Sequence, residues 1–129
     1  MRDRHPFRSA VEVGDIEAML ACLEQDVVLH SPVLFEPVVG KAVVARLLEV
    51  LLEEVFEDFR YTDELTASDG TRGLVFQAVV GDREVEGLDL LRHDAAGLIT
   101  DFTVMIRPLS GLVALAEAVR ARYDRVFEG

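Results

Sequence analysis

The spacing of apolar residues divides the chain into helical and strand-like stretches. Phe7, Ala10 and Val11 share one face of a short helix, with Pro6 suited to its first turn. Gly14 is placed to end that helix and Asp15 to cap the next. In the second helix Ile16, Met19, Leu20 and Leu23 recur at helical spacing. "DVVLHSP" then reads as a short strand stopped by Pro32. Gly40 opens the strongest helical pattern. Val43, Val44, Leu47, Leu48, Leu51, Leu52 and Val55 make a wide apolar face, and Arg46, Glu49, Glu53 and Glu54 lie away from it.

From about Glu57 the period shortens to alternation. "DFRYTDELTA", "RGLVFQAVV", "REVEGLDLLRH" and "LITDFTVMIR" follow one another, joined by "SDGT", Gly81-Asp82 and "DAAG". Such spacing predicts four strands in hairpins, hence a mostly antiparallel sheet. Ser110 is placed to cap a final helix with Leu112, Leu115, Ala116, Val119 and Tyr123 on one stripe. Arg120, Arg122 and Arg125 fall late in it, where they favour the helix dipole. The order of elements predicts the α+β class. A curved sheet wrapped round the helices buries the wide helical face and leaves a blind cavity at its open end. With no repeat or linker, residues 1–129 read as one domain with a C-terminal helix over about residues 110–127.

Composition narrows the function. A 129-residue chain that is 50% hydrophobic supports a packed core. A net charge of -11 argues against nucleic acid and against an anionic membrane surface. Cys22 is the only cysteine, so neither an internal disulfide nor a cysteine-based metal site is expected. "VVARLLEVLLEEVF" is too short and too charged to span a bilayer, and "MRDRHPFRSA" has no apolar core of a signal peptide. A cytoplasmic protein is the expectation. No phosphate-loop or flavin fingerprint is present, so no cofactor is expected. His5, His30 and His93 lack metal-ligand spacing, so no metal site is expected either. His93 reads as a solvated residue beside the Asp94 turn, and His5 as part of the terminus.

The strand "REVEGLDLLRH" contains the sharpest chemical anomaly. Val85, Gly87, Asp89 and Leu91 share one face, which makes Asp89 a carboxyl on an apolar surface. Burial raises the pKa of such a group. A neutral carboxylic acid donates a hydrogen bond, and an ionised one takes up a proton. Either Asp89 acts on a ligand or a nearby hydroxyl or backbone group satisfies it. Its neighbour on the last strand, Asp101, falls on the other face. His30 is a second acid–base candidate, provided the strand twists before Pro32. Parity otherwise separates it from Ser31, a possible ligand hydrogen-bonding group. Phe7, Phe76 and Phe102 read as core or pocket walls. Tyr61 is a possible phenol if it faces inward.

"VEVGDIEAMLACLEQDVVLHSP" and "GLDLLRHDAAGLI", together with this element order, resemble the nuclear transport factor 2-like superfamily, in particular its SnoaL-like and ketosteroid-isomerase-like branches. The resemblance covers roughly residues 5–107 and implies a cone-shaped fold. It places Asp89 where the isomerases carry an oxyanion-binding aspartic acid kept neutral by an apolar site. Phe7 falls where they carry a tyrosine, and Ser31 where they carry the general-base aspartate. One of three catalytic positions is kept, so the resemblance does not imply steroid isomerisation. Gly87 stands where an epoxide-hydrolase Asp-Arg-Asp pattern requires arginine. The resemblance further implies that Phe102, Val104 and Ile106 look inward. It implies a homodimer through the outer sheet face, where Leu88, Leu90, Ile99 and Met105 are expected; the alternative is that the final helix covers that face. Two functions remain open: a cofactor-independent isomerase, cyclase or lyase acting on a small apolar molecule through Asp89, or a non-catalytic ligand-binding or dimerisation module.

Overall fold

In the computed structural model, which describes residues 4–128, short helices fill the concave side of one curved sheet. Helices α1 (Pro6–Val13) and α2 (Ile16–Ala21) lead into strand β1 (Leu23–His30) and the two-residue β2 (Val38–Val39). Helix α3 (Lys41–Val50) continues into a π-helical turn, Leu51–Val55. Four long strands follow: β3 (Phe56–Thr66), β4 (Arg72–Val80), β5 (Arg83–His93) and β6 (Ile99–Arg107). The chain ends in α4 (Leu109–Ala121) and α5 (Tyr123–Phe127). The sheet order is β2-β1-β6-β5-β4-β3, antiparallel throughout except for the parallel β1–β6 pair. The α+β class and the curved, mostly antiparallel sheet are as the pattern of apolar residues implies.

Local chemistry sets the element ends. Gly14 adopts a left-handed conformation, φ 73°, and closes α1. The Asp15 carboxylate accepts the Ala18 N–H and starts α2. α2 is shorter than its apolar spacing suggests: Leu23 leaves it, opens β1 and is fully buried there. Ser110 does not cap α4, which begins directly after Pro108. The final helix breaks at Arg122 into α4 and α5. The π-turn after α3 widens the helix by one residue per turn. That widening helps bring Leu51, Leu52 and Val55 to the same apolar side.

The core lies between the concave face and the helices. Phe7, Met19, Leu23, Val27, Leu29, Val44, Leu74, Phe76, Leu91, Ile99 and Phe102 are essentially inaccessible to solvent. Each such large side chain contributes about 1.5–3 kcal/mol relative to exposure. A second cluster of Val55, Ala78, Val80 and Val85 receives Leu115 and Val119 of α4. α4 therefore lies across the open end on the concave side and leaves the outer face of the sheet uncovered. Its approach is close: a Cβ on Gly111 would lie 2.3 Å from Val85. Arg46 donates to the Val126 carbonyl at 2.8 Å, and Arg122 and Arg125 pair with Glu54, which ties the C-terminal segment to α3 and the π-turn.

Candidate functional site

The alternation on β5 places Val85, Gly87, Asp89 and Leu91 inward, as its parity predicts. On β4 the inward residues are Leu74, Phe76, Ala78 and Val80. The two sets face each other across the ladder, Leu74 opposite Asp89 and Phe76 opposite Gly87. The Phe76 ring lies directly over Gly87, where a Cβ would come within 2.1 Å of it. Gly87 is thus the space that admits Phe76. An arginine at this position, as an Asp-Arg-Asp arrangement demands, has no room without expelling that ring.

Asp89 is 5% exposed and sits among Phe7, Phe76, Phe102, Val104 and Ile106 at a narrow cavity of about 40 Å3. That volume holds roughly three water molecules. Leu29, Ser31, Leu47, Leu51 and Leu52 complete much of the wall, and Leu115 and Val119 of α4 close it. Phe7 meets Phe102 edge-on at 5.2 Å. The sequence candidates Phe7, Ser31, Phe76, Asp89, Phe102, Val104 and Ile106 therefore meet at one cavity. Burial pushes the Asp89 carboxyl up to about 8, and a hydrogen bond from the Tyr61 hydroxyl pulls in the opposite direction. The acid is neutral at pH 7. Burial, and then the nearby Asp89, hold the Tyr61 phenol well above its ordinary value. With the Tyr61 proton committed to Asp89, the Asp89 hydroxyl is the free donor in an apolar chamber, a setting that strengthens its bond to a ligand oxygen.

Tyr61 is the functional residue that the strand pattern conceals. On β3, Phe56, Phe59, Tyr61 and Glu64 turn inward, so the spacing is three, two, three rather than two throughout. Register shifts between Glu57 and Arg60 and between Tyr61 and Asp63 cause this, and Asp58 takes a positive φ of 52° at the first. The signal that finds Tyr61 is its pairing with inward-facing Phe76. Phe59 and Phe76 hold the Tyr61 ring at 5.0 and 6.5 Å, and the Arg8 guanidinium lies 5.7 Å from its centroid.

Three expectations are corrected. His30 is exposed and pairs with Thr103 on the outer face, because the one register shift in β1 falls before Val28 and the strand alternates regularly from there to His30. It is not a residue of the chamber. Ser31 lines the chamber, but its hydroxyl accepts the Val33 N–H at 3.1 Å. Ile99 is buried rather than on the outer face. A bulge opposite Arg92 and His93 sends Ile99 and Phe102 both inward, with Thr100 donating to the Arg92 carbonyl. Asp101 stays opposite Arg92 and away from Asp89. The outer face retains Leu88, Leu90 and Met105, and beside them Leu65 and Val75; Leu65 is 61% and Met105 50% exposed.

A polar cluster lies further along the same strands. His5 and His93 are neither terminal nor solvated as the sequence suggests. Their Nε2 atoms are 2.7 Å apart. The Phe7 N–H donates to His5 Nδ1, so the proton of the neutral His5 ring sits on Nε2. It is donated to His93 Nε2, and the His93 proton is left on Nδ1. The His5 N–H donates to Glu64, which also pairs with Arg8 and Arg72. Burial, then His93 and Arg72, lower His5 to about 4. Burial and Arg72 lower His93 as well. No group of three or more potential metal ligands occurs among the described residues. No described helix is long and apolar enough to cross a membrane.

The comparisons agree with this geometry. A SnoaL-like domain model matches residues 5–107. Among solved structures, a steroid delta-isomerase from Pseudomonas aeruginosa is 38% identical at a TM-score of 0.85, covering 94% of this chain and 88% of its own. An uncharacterized protein with a cystatin-like fold from Silicibacter pomeroyi is 33% identical at 0.83, covering 92% and 85%. A candidate polyketide cyclase from Pseudomonas putida, 20% identical at 0.66 and covering 84% and 90%, shares the fold. No curated protein matches. With that span matched and those identities, the chain belongs to the SnoaL-like family.

Proposed function

We propose that the protein binds a small, uncharged apolar molecule by one acceptor oxygen, held by the neutral Asp89 acid, with the Tyr61 phenol bonded to that acid. The observation that supports this reading is a buried carboxyl, raised to about 8, facing a phenol in an otherwise apolar chamber. A fixed donor at one oxygen in an apolar chamber favours charge developing there. That is the requirement of a cofactor-independent isomerase, cyclase or lyase working through an enolate. Asp89 fills one role per step: neutral, it donates to the developing oxyanion and the α-proton leaves to a base of the substrate or solvent; ionised, it is itself that base and supplies no oxyanion hydrogen bond. The steroid delta-isomerase relative supports this class. The second reading, a binding module without turnover, is favoured by a different observation: Asp89 and Tyr61 are the only ionisable side chains among the described residues lining the chamber. We further propose a homodimer through the outer face around Leu65, Val75, Leu88 and Met105, in the cytoplasm; sedimentation of the purified chain as a monomer overturns the dimer.

The test of the ligand reading is an NMR titration with acetophenone, a small neutral ketone. Wild-type affinity is expected to fall as pH rises through about 8, because an ionised Asp89 no longer donates. Asp89→Asn, which keeps a donor, flattens the profile, and Asp89→Leu weakens binding by about tenfold, as loss of one hydrogen bond requires. Binding that ignores pH and both substitutions ends this reading.

A further inference from the structure

The chamber beside Asp89 is too small for a ligand by itself. At about 40 Å3 it lies well below the roughly 300 Å3 at which ligand pockets begin. A second cavity of about 290 Å3 lies on the other side of its wall. This outer cavity is lined by Ala10, Val11, Ile16 and Met19 of the first two helices, with Leu52 and Phe59 opposite. Leu52 and Phe59 also line the Asp89 chamber. Two side chains therefore divide one ligand-sized space into parts that are each too small.

The backbone carrying that wall is irregular. Leu52 belongs to the π-turn Leu51–Val55, and Phe59 follows Asp58 with its positive φ and a register shift in β3. π-turns and bulges both recur next to functional sites, where they re-aim side chains. Phe59 is only half-buried, and its ring rests on Phe76 at 4.8 Å and Phe56 at 5.6 Å. Hydrocarbon packing alone holds it, against both apolar clusters and the Tyr61 ring, so a rotamer change that displaces it sacrifices no hydrogen bond of its side chain. The remaining walls are firmer: α4 is tied down by its packing on Val85 and by the Arg46, Arg122 and Arg125 bonds.

We infer that the two cavities are one binding site and that Leu52 and Phe59 form a movable wall between them. The inference rests on the ligand reading above and adds a length to it: the acceptor oxygen lies at Asp89 and an uncharged apolar tail reaches past Leu52 and Phe59 to α1 and α2. Asp15 and Glu53 stand at the rim of the outer cavity, and the chain carries -11 overall, so an anionic tail is excluded.

Two neutral ketones of different length test this: acetophenone, which with Leu52 and Phe59 displaced occupies the Asp89 end and stops short of α1 and α2, and prodan, a longer naphthalene ketone whose emission reports its surroundings. Val11→Trp fills the outer cavity. It is expected to raise the ratio of the prodan Kd to the acetophenone Kd by about tenfold or more. Phe59→Ala removes the wall and is expected to speed prodan association by a similar factor. Ile16→Phe repeats the filling test if Val11→Trp does not fold. An unchanged Kd ratio in folded variants, with acetophenone still sensitive to Asp89, overturns the single-site inference and leaves the ligand reading intact. Acetophenone binding that ignores Asp89 removes the ligand reading, and the inference falls with it.

Discussion

Two buried ionisable clusters share strands β3 and β5, and they are built on opposite plans. At Tyr61 and Asp89 the surroundings are hydrocarbon and one hydrogen bond links the two groups. At Glu64 and His93 the ionisable groups bond to one another: His5 to Phe7, Glu64 and His93, and Glu64 to Arg8 and Arg72. Each cluster contains a group that burial keeps neutral. The difference lies in hydrogen-bonding capacity left over. The His5 cluster spends its capacity on the protein and anchors the start of α1. The Asp89 acid retains capacity for something not of the protein. Perturbed ionisation alone does not mark a ligand site; perturbation with hydrogen-bonding capacity unspent is the stronger reason to test for one.

The clusters also respond to pH in opposite senses. Asp89 has a folded value of about 8, above its ordinary 3.8. Its contribution to stability is complete below the lower value and is lost as pH rises through the upper one. His5 has a folded value of about 4, below its ordinary 6.5. Its contribution is present above 6.5 and is lost as pH falls through about 4. Between those limits the two slopes oppose each other, and above the histidine range Asp89 acts alone.

The largest effect is expected from Asp89→Asn, which removes one side of this opposition. Urea unfolding across pH should show the variant gaining on the wild type by on the order of a few kcal/mol from acidic to mildly alkaline solution. A constant difference across pH means that Asp89 is already ionised in the folded protein. Next in size is Gly87→Ala, which pushes a methyl into the Phe76 ring and breaks the apolar cluster directly. A loss of about 1–3 kcal/mol is expected in thermal or urea unfolding. A neutral outcome means that the ring is free to move aside and that the chamber wall is soft. His5→Ala is the smallest, about 1 kcal/mol at neutral pH for loss of a helix cap. That cost should shrink as pH falls toward 4, where protonation of the wild-type ring already breaks the same bonds. A double-mutant cycle with His93→Ala measures the shared bond, and zero coupling contradicts the contact.

The sheet was legible from alternation alone because β4 and β5 carry unbroken parity; their predicted bounds coincide with the observed ones. Parity also placed Asp89 on the apolar face of its strand and separated Asp101 from Phe102, and the family resemblance turned Phe102 inward and Asp101 outward. Parity failed where strands bulge. Tyr61 and Ile99 sit next to register shifts, and a shifted register moves a side chain to the other face. The His5–His93 contact was invisible for another reason: it joins residues 88 positions apart, and neither one belongs to a local spacing that predicts the other. The wall between the two cavities depends on a π-turn that keeps a helical apolar pattern and so looks like an uninterrupted helix in sequence.

The parallel pairing of β1 with β6 has a consequence for how the chain assembles. Hairpins β3–β4, β4–β5 and β5–β6 involve near neighbours, whereas Val28 must find Asp101 across most of the chain. Contacts of such long sequence separation form late, because loop closure precedes their reward. On a ribosome, β1 emerges early with only the two-residue β2 to pair with on one edge, and its other edge waits until β6 has been made. The Asp89 chamber, whose walls come from both ends of the chain, is therefore among the last parts of the molecule to exist.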